Sequence, residues 1–335
     1  MIRVGIIRGG LSGEYNISLK TGGNIISSIR NSDLKDKYTP YDIFIDKNGV
    51  WHLNGIPISL ESLRDKIDVV FNALHGDYGE DGKIQKDLES FNIPFTGSNS
   101  VVSRIGYNKV LAKDLFEKIG VKTPKHLLFS AYLEDLDGPR NFYAIKKAKE
   151  VIKRIPPPWI VKPVSGGSSM GIFVCKDFVD LVKAFENGVN EKTSVIVEEL
   201  ITGKEASVVA IDNFRNNDIY ICPPVEIRLP NDKDFFDFDS KYVKVSDKIC
   251  PANFSFEDKI ELERLAKIIH RNMKVEHYSN YDFIIHPKRG IYILEVNTLP
   301  GLTENSILPK ALDSVGVSLS EFIDHIISLT LNKNS

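Results

Sequence analysis

At 335 residues, with 42% apolar and 26% charged residues, the chain is long enough for two or three domains and a large core. Its formal net charge of −2 gives no reason to expect nucleic acid or a membrane surface as a partner, and no apolar run approaches the roughly 20 residues of a membrane span. Three widely spaced cysteines, Cys175, Cys222 and Cys250, form neither a disulfide framework nor a zinc motif; with no signal-peptide layout after Met1, they fit a cytoplasmic enzyme.

The first hundred residues alternate strand and helix. Residues 2–7 are a short apolar run ending in Gly9-Gly10, and a helical pattern follows over 18–29. Residues 41–45 and 68–73 are further strands, the second running into Leu74-His75-Gly76. A helix over 83–91 and a short strand over 93–96 complete the alternation, which predicts a parallel sheet covered by helices. Ligands in such sheets gather at the carboxyl ends of strands, and Glu14, His75 and Glu80 lie just past strand ends in glycine-rich loops. In the middle of the chain, residues 108–119 read as a helix stopped by Gly120. Pro156-Pro157-Pro158 leads stiffly into a strand over 159–162, followed by a Gly/Ser loop, a strand over 172–174, a helix over 177–186 and a strand over 194–200. The last part begins with strands over 206–211 and 219–221. It continues with a helix over 255–273 capped by Ser255, and ends in a helix opened by the capping box Ser318 to Glu321.

The pattern over 281–296 carries the most chemistry. Two apolar strands, 281–286 and 291–296, flank Pro287-Lys-Arg-Gly290, so that His286 should face Ile291 and Asp282 should face Glu295. Residues two apart share a strand face, which adds Asn297 to the same side. Two carboxylates opposed in a largely buried sheet repel, so something positive must sit between them. A buried Lys or Arg would serve. So would Mg²⁺, which takes one or two carboxylates and completes its shell with water and phosphate oxygens.

Two further segments belong with it. In Lys162-Pro-Val-Ser-Gly-Gly-Ser-Ser-Met-Gly171, the glycines let backbone N–H groups turn toward an anion, Ser168 and Ser169 add hydroxyls, and Lys162 adds charge. It joins two strands and lacks the Gly-Lys-Ser/Thr ending, so it is not a P-loop; a plain hairpin turn is the alternative to phosphate binding. In Val195-Ile-Val-Glu-Glu-Leu-Ile-Thr-Gly-Lys-Glu205 an apolar strand passes into acids, a layout compatible with an adenine and ribose site, although by itself Glu199 reads as a solvated face.

Taken in chain order, the Gly/Ser loop, the acid-rich strand and the hairpin resemble the ATP-grasp ligases, and more closely the D-alanine–D-alanine ligase family. Gly9-Gly10-Leu-Ser12-Gly-Glu14 with Ser18-Leu19 resembles its opening signature, Leu74-His75-Gly76-Asp-Tyr-Gly79-Glu80-Asp81-Gly82 its second, and Leu294-Glu295-Val-Asn297-Thr298-Leu-Pro300-Gly301-Leu-Thr303 its third. Phe236-Asp-Phe-Asp-Ser-Lys241-Tyr242, then Cys250-Pro251-Ala252, resembles its mobile loop, and the match runs nearly end to end. The resemblance implies an ATP-grasp fold of three α/β domains: a Rossmann-like, pre-ATP-grasp substrate domain over 1–97, a central subdomain over 98–197, and a C-terminal subdomain with the metal hairpin over 198–335. It implies ligation of two D-alanines through an acyl phosphate for peptidoglycan precursors, with ATP and two Mg²⁺ (or Mn²⁺) as cofactors. A homodimer with no nucleic-acid or membrane partner goes with that reading.

Roles follow position by position. Lys109 and Lys162 would contact phosphates, and Lys241 would reach the transferred one. Glu198, Glu199, Leu200 and Ile201 would hold adenine with Leu294 on the nucleotide side, and Glu205 the ribose. Asp282, Glu295 and Asn297 would bind the metals. Glu14 would take the ammonium of the first D-alanine with His75 nearby, and Ser168 and Tyr242 would latch the mobile loop with Glu14. The Gly301 N–H would face the oxyanion and Ser306 the second substrate's carboxylate. In these ligases an arginine usually precedes the metal-binding Asp by two residues, facing the carbonyl oxygen that becomes negative. Here that position is Asn280, shorter and uncharged, which sets the second-substrate side apart.

Overall fold

A computed structural model describes residues 1–166, 171–228 and 247–332. The first sheet contains β1 (Ile2–Gly9), β2 (Tyr38–Ile45), β3 (Trp51–Leu53), β4 (Ile56–Pro57) and β5 (Val69–Asn72), in the order β4-β3-β2-β1-β5. β1 runs parallel to β2 and β5, as the alternation predicts, but β3 and β4 are antiparallel additions, so the sheet is mixed. The expected strand over 93–96 is a single bridge between Val70 and Phe95. Only two apolar side chains lie between Asn92 and Thr96 beside Pro94, which is too little to hold a full ladder.

Helix Tyr15–Arg30 covers this sheet with Ser18, Thr21, Gly22, Ile25 and Ile29, a spacing of three and four that makes one buried stripe. It lies so close to β1 that a Cβ on Gly22 would sit 2.7 Å from that of Arg8. Ser18 ties two strand ends together: it accepts from the Gly9 N–H at 2.9 Å and donates to the Ala73 carbonyl at 2.8 Å.

A second sheet contains β6 (His126–Phe129), β7 (Trp159–Pro163), β8 (Phe173–Cys175) and β9 (Val195–Glu199), in the order β6-β9-β7-β8, antiparallel throughout. Helices Arg140–Ile152 and Phe178–Glu191 pack against it around Trp159, Phe129 and Phe185. The third sheet is built of β10 (Lys204–Phe214), β11 (Asn217–Ile221), β12 (Val225–Arg228), β13 (Asp247–Ile249), β14 (Tyr278–His286) and β15 (Gly290–Asn297). Its order is β13-β12-β10-β14-β15, with β11 on β10. Helix Phe256–Met273 covers one face through Leu262, Leu265, Ala266 and Ile269. The last helix, Leu319–Asn332, does not stay with this sheet. Phe322, Ile323, Ile326 and Ile327 join Val4 and Phe71 of the first sheet, Ile25 of the helix that covers it, and Val209 and Ile211 of the third sheet in one core. The last helix thereby joins the first sheet to the third.

Candidate active site

The hairpin pairs Asp282 with Glu295, as its sequence requires, but by a different route. The turn is tighter than expected: His286 faces Gly290 and Ile285 faces Ile291. A bulge then accommodates one extra residue, Leu294, between the Phe283–Ile293 and Asp282–Glu295 pairs and restores the carboxylate pairing. The flanking Phe283 and Ile293 are buried, whereas Asp282, Glu295 and Asn297 are half-buried at the cleft. The hydroxyl of Ser207, wholly buried on the neighbouring β10, shares its one proton between Asp282 Oδ1 and Asn280 Oδ1, the latter at 3.0 Å. Asn280 Nδ2 donates to the same Asp282 oxygen at 2.9 Å. Asn280 is therefore committed to orienting Asp282. Asn297 Oδ1 accepts from the Leu299 N–H at 2.8 Å, which sets the turn toward Gly301.

Among the described residues no group of three His, Cys, Asp or Glu side chains is assembled that could by itself hold a metal ion. The hairpin offers two carboxylates and an amide on one cleft face instead. That hard-oxygen set suits a cation whose remaining ligands are water and phosphate, so the residues present fit Mg²⁺.

Lys109 stands at the start of helix Lys109–Lys118, which Asn108 caps by accepting from the N–H groups of Val110 and Leu111 at 3.1 Å each. Its own N–H bonds to the Val164 carbonyl at 2.9 Å, and its ammonium donates to the Gly166 carbonyl at 2.6 Å. The helix is thus stitched to the glycine-rich loop. Burial lowers the pKa of Lys109, while the charge of Glu295 opposes that shift. Beneath lies Glu198, with only 1% of its surface exposed. Its Oε1 pairs with Lys162 Nζ at 3.0 Å and Lys113 Nζ at 3.2 Å. Burial pushes the Glu198 carboxyl up, but the two lysines outweigh it and hold it below its ordinary range.

The segment expected to hold adenine divides. Glu198 turns inward to the lysines. Glu199 turns to the opposite rim, where it accepts from Arg289 at 2.9 Å and from the Lys125 N–H at 3.1 Å. The Leu200 N–H bonds to the Pro158 carbonyl at 3.0 Å. Ile201 packs with Ile284, Tyr292 and Leu294 in a small apolar cluster beside the carboxylate hairpin. Glu205 sits on β10 between Ile227 of β12 and Ile284 of β14.

Across the cleft, Glu14 occupies the cap position of the first helix without a side-chain capping bond and is crowded by Glu80. Burial first, and the Glu80 charge second, push its carboxyl up to about 7, with His75 opposing. His75 is 7% exposed; its Nε2 is 3.0 Å from Thr21 Oγ1 and its Nδ1 3.5 Å from Glu80. A Cβ on Gly301 would lie 2.9 Å from Ser306 Oγ and 3.7 Å from His75 Cε1, so the second and third signatures meet here. Ser306 occupies the cap position of helix Ile307–Asp313 without bonding to it; its hydroxyl pairs with Thr303 Oγ1 at 2.7 Å. Ser168, Lys241 and Tyr242 lie outside the described residues.

Four contributors escape the sequence reading: Lys113, Thr123, Ser207 and Thr21. Lys113 had a signal, since it follows Lys109 by four residues and so shares its helix face. Ser207 is a lone hydroxyl in an apolar strand. Thr21 and Thr123 carry no local mark.

Models of the D-ala D-ala ligase C-terminus and N-terminus match residues 116–328 and 53–98. The D-alanine–D-alanine ligase of Fervidobacterium nodosum is 34% identical over 98% of this chain and 99% of its own length. The crystal structure of a D-Ala:D-Ser ligase, VanG, from Enterococcus faecalis superposes with a TM-score of 0.83 at 27% identity, over 98% of this chain and 99% of that one. That of the Bacillus anthracis D-alanine–D-alanine ligase complexed with ATP gives 0.77 at 28% identity, over 99% and 98%.

Proposed function

The chain belongs to the D-alanine–D-alanine ligase family, and from that premise we infer how its cleft works. It is an ATP-dependent ligase that forms a C–N bond between two D-alanines, the dipeptide serving cell-wall synthesis. The observation that carries the residue roles is the convergence of three parts. These are the opposed Asp282 and Glu295, the Lys109 and Lys162 ammonium groups at the glycine-rich loop, and the Glu14, His75, Gly301 and Ser306 cluster across the cleft.

A carboxylate acylates poorly because its leaving group would be oxide. Transfer of the γ-phosphoryl group of ATP to the first substrate's carboxylate makes an acyl phosphate. The second amine then attacks the carbonyl carbon, the C–O bond to phosphate breaks, and the amine's proton is released. Positioning and charge neutralisation do most of the work in such transfers. Lys109 and Lys162 hold phosphate oxygens. Asp282, Glu295 and Asn297 would hold Mg²⁺, which neutralises phosphate charge when bound. Ile201 and Leu294 give adenine an apolar wall. Glu14 accepts from the first substrate's ammonium. The Gly301 N–H faces the developing oxyanion, and Ser306 holds the second substrate's carboxylate.

Phosphate release measured across D- and L-amino acids, with product mass determined for each, tests this reading. D-alanine should be required and D-alanyl-D-alanine formed. Phosphate release with no amino-acid dependence would overturn it. The engagement of Asn280 by Ser207 and Asp282 favours one second reading, a ligase of the same type with a different second substrate; a mixed product from D-alanine and a second acid would reveal it.

A further inference from the structure

We propose that Lys113 is a positioning residue that sets Lys162 for the nucleotide phosphates and couples it to the metal hairpin; this rests on the reading of Lys162 as a phosphate ligand. Lys113 is completely buried, one helical turn beyond Lys109, and touches no open part of the cleft. Its ammonium reaches two separate elements. One is Glu198 of β9, at 3.2 Å, which also binds Lys162 of β7 at 3.0 Å. The other is Thr123, whose Oγ1 accepts from Lys113 at 2.8 Å and donates to the Ile293 carbonyl at 3.1 Å. The Ile293 N–H in turn bonds to the Lys122 carbonyl at 2.9 Å. Ile293 lies on β15 two residues before Glu295. One buried chain therefore runs from Lys162 through Glu198, Lys113 and Thr123 to the strand that carries Glu295.

The charges give this chain a purpose. Two lysines share a single buried carboxylate, and such an excess of positive charge in a dry place calls for an anion. With Lys113 present, Glu198 is neutralised from behind, and Lys162 keeps charge to present to phosphate. Without it, Glu198 and Lys162 become a closed one-to-one pair, and Lys162 is drawn back from the cleft.

Lys113→Met keeps the side chain's length and removes its charge. Outer partners that orient a ligating group typically change affinity about 10–100-fold when lost, and the expected result is a rise of that size in KM for ATP, with little change in KM for D-alanine. Thr123→Val, which cuts the link to Ile293 at constant volume, should raise the ATP KM several-fold. In Lys113→Met/Glu198→Gln, the loss should be smaller than the product of the two single losses, because the carboxylate that would trap Lys162 is gone. Lys162→Met serves as the control. If it leaves the ATP KM unchanged, the phosphate reading of Lys162 falls. If it raises the ATP KM while Lys113→Met and Thr123→Val leave it at the wild-type value, the positioning role alone is overturned. An equal rise in both substrates' KM would also overturn it, since that is the mark of a general structural loss. Should Lys113→Met not fold, Thr123→Val carries the same test.

Discussion

Two carboxylates on opposite walls of the cleft move in opposite directions. Glu198, on the nucleotide side, is sealed between Lys113 and Lys162 and held ionised well below its usual range. Glu14, on the amino-acid side, is half-buried beside a second acid, Glu80, and pushed up to about 7. The first wall is neutralised internally before any ligand arrives and keeps a positive excess for phosphate. The second is built with an excess of negative charge that the ammonium of an incoming amino acid would relieve. On the proposed reading each wall is complementary to the charge of what it would bind, which is preorganisation at the level of charge.

The largest effect should come from the hairpin where the two walls meet. Glu295→Gln removes one of two opposed carboxylates, so turnover should fall at least ~10³-fold. Melting temperature should hold or rise, because repulsion with Asp282 is relieved. A chelator titration on the wild type should reach the same floor. Activity surviving in either would detach the hairpin from metal and nucleotide.

Glu14→Gln is next and isolates the other wall. A charge-assisted hydrogen bond contributes roughly 1.5–3 kcal/mol, so KM for the first D-alanine should rise about 10- to 100-fold while KM for ATP stays near wild type. The sign with pH follows from the raised carboxyl. Below about 7, Glu14 is protonated and neutral; as pH rises through that value it ionises and the first-substrate KM falls. Steady-state kinetics from pH 5.5 to 8.5 should show this fall in the wild type and lose it in Glu14→Gln. A fall that persisted in the variant would assign the titration to another group.

The same comparison explains what could be read from the chain and what could not. The hairpin, the Gly/Ser loop and the loop acids were legible because each is local: two-residue alternation, a glycine cluster, an acid at a strand end. The opposed Asp282 and Glu295 came out correctly although the turn was placed one residue too wide, since the bulge at Leu294 cancels the shift. What stayed hidden depends on long-range packing. Lys113 lies 85 positions from Glu198, Thr123 170 positions from Ile293, and Ser207 75 positions from Asp282. No periodicity announces such partners. The mixed character of the first sheet was missed for a related reason: β3 and β4 are only three and two residues long and carry no alternation of their own. The helices over residues 100–107 and 140–152 also went unread.

The smallest effect is expected at Asn280, where the two walls and the departure from the family pattern coincide. The resemblance implies an arginine at this position, facing the carbonyl oxygen as it becomes negative, and loss of one preorganised donor typically costs roughly 10²–10³ in turnover. In this chain the asparagine is only 6% exposed and hydrogen-bonded at both ends of its amide, to Ser207 and Asp282. Restoring arginine would break both bonds and force a longer, charged side chain toward Asp282 Oδ1. Whatever it returned to the oxyanion would be offset by disorder at Asp282, the carboxylate proposed to hold the metal. Asn280→Arg should therefore change dipeptide synthesis by less than about tenfold, and should raise KM for ATP more than KM for D-alanine. Assaying both proteins side by side under saturating substrates decides it. If wild type forms no D-alanyl-D-alanine while Asn280→Arg does, the asparagine is a specificity residue and the second substrate is a different molecule.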